Sequence, residues 1–203
     1  EEYSKEIDTT NYKMVTISGS RLPHHNIEYP LNHKNLGAEK PFELVILQGG
    51  SGEANTVDER NDFSLEAKAM IKKIHEAGAE AALYMIHAYV KPHENTDPEM
   101  IKNIKKMYID AANQNSVLVM PVGIAFENAY EKNPDIVLHK EYDGSHPSLL
   151  GTYLAACVVF SSITHKSPLQ IQYDYFGKIA EDDKKFLQKV AKKTVEDFYR
   201  IKL

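Results

Sequence analysis

DGSHPSLLGTYLAACVVF, residues 143–160, sets an acid and a histidine three positions apart, then a proline, then an apolar run. Pro147 suits the first turn of a helix, where its missing N–H costs nothing, so a helix is expected over residues 147–164. Asp143 and His146 then lie on the loop that feeds it, and Gly144 makes that turn compliant. A carboxylate at this spacing can accept a hydrogen bond from Nδ1 of the imidazole and leave Nε2 facing outward as a base. The competing reading is that Asp143 only caps the helix and His146 is a surface residue. The helix itself is apolar nearly all round, with Gly151, Ala155 and Ala156 allowing close approach, and is expected to be buried against a sheet.

Working outward, the chain supplies that sheet. YKMVTIS, residues 12–18, and FELVILQG, residues 42–49, are expected strands, the second almost continuously apolar, as strands covered on both faces are. The intervening residues, rich in proline and histidine and without a helical period, form a loop or irregular crossover. Ser64 is expected to cap a helix carrying Leu65, Met70, Ile71 and Ile74 and ending at Gly78. Residues 81–89 form the next strand. Asp97 and Pro98 open a helix with Ile101, Ile104, Tyr108 and Ala111 on its buried stripe. Residues 116–123 are a strand, residues 169–176 a strand or extended segment, and residues 181–200 a closing helix with a lysine-rich, solvated face. EEYSKEIDTTNY reads as the end of a crossover helix. Alternating strands and helices predict an α/β fold with a parallel sheet, and ligands in such sheets bind beyond the carboxyl ends of the strands.

Composition narrows the function. The 203 residues suit a single domain, and a formal net charge of −5 gives no electrostatic reason to expect nucleic acid or an anionic membrane as partner. A small molecule or a neutral polymer is the expected ligand. The single cysteine, Cys157, falls in the apolar helix and reads as a buried, inert thiol. No apolar run approaches the roughly 18 to 20 residues of a membrane span, and EEYSKEIDTT is not a signal peptide. GGSGE lacks the lysine and spacing of a phosphate-binding loop, and no cofactor motif is present. His24, His25 and His33 with His139, Asp143 and His146 are the residue types of a zinc or manganese site, at spacings that match no compact motif. His87 and Tyr89, at a strand end, line a cleft or play a structural part.

Taken in order, VTISGSRL, ELVILQGGSGEA, PVGIAF and YDGSHPSLLGTYLAACVVF resemble the blocks of the SGNH (GDSL-like) hydrolases, most closely bacterial members, over about residues 14–168. The resemblance implies a three-layer α/β/α domain of flavodoxin-like order and ester hydrolysis or acyl transfer through a serine. It implies that His146 is the general base, Asp143 its orienting group, and Gly19 an oxyanion donor through its backbone N–H. Gln48 stands where many members have an asparagine; a glutamine amide donates the same kind of bond from one methylene further. The substrate so implied is an ester, with acyl groups on carbohydrate as one class. The family's serine block precedes the glycine block and has no counterpart in residues 1–18. It is expected upstream of Glu1, and a signal there would make the protein periplasmic or secreted. Ser51 and Ser20 are the alternative nucleophiles within the chain. A relative that binds carbohydrate without turnover, and a metal-dependent hydrolase built on the histidines, are the other readings.

Overall fold

The computed structural model of the protein describes residues 12–203; the expected crossover helix falls mainly on residues 1–11, outside them. The chain divides into two compact units, one running to Tyr84 and taking in Met107–Val119, the other comprising Met85–Lys106 and Met120–Leu203.

The first unit is built on a β-α-β crossover. Strand β1 (Leu44–Leu47) pairs in parallel with β2 (Glu80–Tyr84), Leu44 opposite Glu80 and Leu47 opposite Leu83, and the sheet runs in the order β1-β2-β3, with β3 at Leu118–Met120. Ala81, Ala82 and Leu83 are buried, as the central position of β2 requires. Between β1 and β2 runs the crossover helix; before β1 the chain makes three short helical turns, α1 (Glu28–Leu31) between 3-10 turns at Leu22–His24 and His33–Leu36. This crossover, α2 (Val57–Glu76), buries Phe63, Ala67, Met70, Ile71 and Ile74 at three- and four-residue spacing. Phe63 meets Tyr108 at 4.9 Å between ring centroids. Tyr108 stands on α3 (Met100–Asn115), and its hydroxyl oxygen accepts from the Gly49 N–H at 3.2 Å, tying the loop after β1 to that helix.

Two expectations are corrected in this unit. Residues 12–18 form no strand: they are exposed, Tyr12 and Met14 by 72% and 71%, and have no ladder partner among the described residues. β-propensity makes a segment able to pair, but only a neighbouring strand makes it one. The crossover helix starts at Thr56 rather than Ser64, because the Thr56 side chain accepts from the Glu59 N–H at 3.2 Å and donates to its carboxylate at 3.0 Å, with Asp58 and Glu59 in the first turn. Ser64 therefore lies inside the helix.

The second unit is helical. Helices α4 (Val122–Lys132), α5 (Leu149–Thr164) and α6 (Glu181–Tyr199) pack on one another, with Asn128 donating to Thr194 at 2.8 Å and Gln188 to the Tyr153 hydroxyl at 3.0 Å. The expected apolar helix is α5, and Cys157 within it is buried, its thiol pushed up to about 12 by desolvation. The capping residue is Ser148, whose Oγ accepts from the Gly151 N–H at 3.1 Å and donates to the Val137 carbonyl at 2.7 Å. Pro147 accordingly precedes the helix instead of opening it. Gly151 is needed for approach: a Cβ there would run into the Leu138 carbonyl. Residues 81–89 stop being a strand after Tyr84, and residues 169–176 hold only a short 3-10 turn, Pro168–Gln170, then irregular backbone.

Because Ser148 both caps α5 and ties it to residue 137, Ser148→Ala is expected to cost about 1 to 2 kcal/mol of stability. Urea denaturation at neutral pH would show this as a lower midpoint with an unchanged slope.

Candidate active site

Asp143 and His146 are brought together. The Asp143 Oδ1 accepts from the Ser145 N–H at 2.8 Å and the His146 N–H at 2.9 Å, while Oδ2 faces His146 Nδ1 at 2.9 Å. One carboxylate thus closes the turn and orients the ring, and the helix cap is Ser148 rather than Asp143. The bond from Ser145, followed by those from His146, holds the carboxyl down to about 2. An ionised acceptor fixes the proton of His146 on Nδ1 and leaves Nε2 with its lone pair. The side chain of His146 is 72% exposed and that of Asp143 21%, so the imidazole is accessible and the carboxylate beside it is screened.

The loop is held from two sides. Residues 138–140 run antiparallel to residues 146–148: Lys140 N–H donates to the His146 carbonyl and Ser148 N–H to the Leu138 carbonyl, both at 2.8 Å, with His139 paired to Pro147. Val90 N–H donates to the Gly144 carbonyl at 2.9 Å. Gly144 has φ +62°, and a Cβ on it would meet the Val90 carbonyl, so only glycine fits here.

A buried group lies beside this loop, built on His139, which the sequence offered only as a metal-ligand candidate, and His87, which it placed at a cleft or in a structural part. His139, 3% exposed, has Nδ1 at 2.6 Å from the Tyr130 hydroxyl and Nε2 at 3.0 Å from His87 Nδ1 and 3.1 Å from the Ala88 carbonyl. His87 stacks on Phe126 at 4.5 Å and 17°, and Phe126 and Tyr130 are one helical turn apart on α4. Burial pushes both histidines down, His87 to about 4. The one available signal was a histidine in each of two segments already placed near the site, ALYMIHAY and IVLHKEYDGSH.

The remaining candidates belong to the first unit. Gly19, φ +67°, and Ser20 occupy a turn closed by Ser20 N–H to the Ile17 carbonyl at 3.1 Å. The Ser20 hydroxyl lies 2.8 Å from His25 Nε2. This turn abuts the loop after β1: a Cβ on Gly50 would sit 3.3 Å from both the Ser20 carbonyl oxygen and the Arg21 side chain. Gln48 and Ser51 are exposed on that loop. Beneath them Glu53, 2% exposed, accepts from the Gly50 N–H, and desolvation raises its carboxyl. Among the described residues, no three histidine, cysteine or acidic side chains are gathered as a metal would require. No helix of the described residues is long and apolar enough to cross a membrane.

No protein family and no curated protein matches the chain by sequence. Solved structures do. A DUF4886 family protein from Bacteroides uniformis superposes with a TM-score of 0.66 at 21% identity, over 79% of this chain and 64% of that one. A protein of Slackia heliotrinireducens classed with the SGNH hydrolases gives 0.57 at 20% identity, over 71% and 80%. An acetyl xylan esterase gives 0.54 at 15% identity, over 72% and 78%. The chain spans about two thirds of the length of the Bacteroides protein. It has the α/β/α fold of the SGNH hydrolases, as the sequence blocks implied.

The buried histidines fix the acid response. The unfolded chain takes up a proton on His87 below its ordinary value of 6.5, whereas the folded protein resists until about 4. Stability is therefore expected to fall as pH drops from about 6.5 to about 4. Asp143, with its ordinary value of 3.8 held down to about 2, extends the fall below pH 4. Urea midpoints measured against pH should show the first slope flattened in His87→Gln.

Proposed function

We propose that the protein is an ester hydrolase of the SGNH type in which His146 is the general base and Asp143 its orienting carboxylate. The observation that carries this reading is the 2.9 Å contact between Asp143 and Nδ1 of an imidazole whose other face is open to solvent. In acyl transfer such a base takes the proton of an attacking serine hydroxyl, and the carboxylate stabilises the imidazolium that forms. The Gly19 N–H and the Gln48 amide are the proposed donors to the oxyanion of the tetrahedral intermediate. Gly19 sits at a turn whose positive φ suits glycine, and the exposed Gln48 side chain is free to adapt to a ligand.

Two serines within residues 1–203 are candidates for the nucleophile. Ser20 has an imidazole, His25, 2.8 Å from its hydroxyl; Ser51 lies exposed on a turn with no such partner among the described residues. The acetyl xylan esterase among the similar structures supports an acyl group on carbohydrate as the substrate class.

A serine-directed fluorophosphonate tests the reading on the purified natural protein. One covalent adduct by intact mass is expected, lost in His146→Ala, with peptide mapping naming the serine. Asp143→Ala should lower kcat on 4-nitrophenyl acetate by about 100-fold or more, since it removes the orienting group of a general base. A well-folded protein that takes no label and turns over no ester would refute the assignment.

A further inference from the structure

The Tyr130–His139–His87 chain has a direction. The Ala88 carbonyl can only accept, so the hydrogen of His139 lies on Nε2, shared between that carbonyl and His87 Nδ1. Neutral His139 then accepts at Nδ1, and the Tyr130 hydroxyl is the donor, its oxygen faced by the backbone N–H groups of Leu138 and His139. His87 Nδ1 is left as an acceptor, which places the hydrogen of its neutral ring on Nε2. That nitrogen makes no hydrogen bond among the described residues, on a ring that is half-buried. The Tyr130 hydroxyl, both ring nitrogens of His139 and His87 Nδ1 each face a hydrogen-bond partner.

The position is pertinent. His87 is three residues before Val90, whose N–H pairs with the Gly144 carbonyl, two residues from His146. His139, the hub of the chain, is paired through its backbone to Pro147, the residue after His146. Phe126 stacked beneath the His87 ring fixes its plane. We infer that His87 is a substrate-binding residue that offers a neutral Nε2–H to an acceptor oxygen, carbonyl or hydroxyl, of the ester.

This role rests on the hydrolase reading, and neutrality is part of it. Proton transfer to His146 creates an imidazolium, and a second positive ring nearby would oppose it. Burial keeps His87 uncharged at neutral pH, so it can donate a hydrogen bond without that penalty.

Three measurements on the natural protein test the inference. In long-range 1H–15N spectra of histidine-labelled wild type, His87 should show a protonated Nε2 and an unprotonated Nδ1 from pH 6 to 8. With 4-nitrophenyl acetate and acetylated xylo-oligosaccharide, His87→Leu should lower kcat/KM about tenfold, the loss of one hydrogen bond, chiefly through KM. His87→Gln, whose amide N–H reaches near the position of Nε2, should recover most of it, which a merely structural role would not do. A His87→Leu protein with wild-type kcat/KM, or an Nδ1–H ring in the spectra, would overturn the role of His87 and leave the hydrolase reading standing. A wild type inert to both esters and to the fluorophosphonate would instead remove the hydrolase reading and this role with it.

Discussion

Three N–H groups converge on the carboxylate of Asp143, two from the backbone and one from the imidazole of His146. The backbone bonds make the turn; the third sets the tautomer of the ring. A carboxylate so occupied stays ionised to well below neutral pH, so the acceptor that orients His146 is constant across the range in which a histidine base works. The rest of the second unit serves this arrangement. Residues 138–140 hold one side of the loop, the Val90 N–H holds the other, and Ser148 starts α5 immediately after it.

The tolerance of the loop is narrow because backbone, rather than side chain, occupies the space around it. Gly144 lies against the Val90 carbonyl, Gly123 against that of Ile86, and Gly151 against that of Leu138. Three glycines thus let a loop, the start of α4 and the start of α5 approach neighbouring backbone at hydrogen-bonding range. Interiors packed this closely transmit a displacement of one segment to the next. The positions of Phe126 and Tyr130, and through them of His87 and His139, follow from where Gly123 allows α4 to begin.

The parts of the fold that were legible in the sequence are those fixed by local chemistry. The apolar run of α5, the stripe of α3 and the continuous apolar core of β1 carry their periods in the residues themselves, and the D-x-x-H spacing forces acid and imidazole together because three residues closing a turn leave few alternatives. What could not be read depended on partners distant in the chain. Residues 12–18 have strand propensity and, among the described residues, no strand beside them. Thr56 and Ser64 are both able to cap, and only the reciprocal contact with Glu59 chooses between them. The Tyr130–His139–His87 chain joins three segments across 52 positions, and no periodicity announces it.

The second unit therefore holds three histidines in one neighbourhood with different chemistry, and the difference lies wholly in their surroundings. His146 is exposed and faces the Asp143 carboxylate. His87 and His139 are enclosed by Phe126, Tyr130 and backbone, with each other, the Tyr130 hydroxyl and the Ala88 carbonyl as hydrogen-bonding neighbours, and burial keeps them neutral. A histidine that must gain and lose a proton needs an anion and access to solvent. One that must donate a hydrogen bond without ever becoming charged needs the opposite, a dry site and an acceptor for its second nitrogen already in place. In the function proposed here, dividing the same side chain between these two environments would let one loop carry a base while the segment beside it supplies a neutral donor, neither interfering with the charge the other requires.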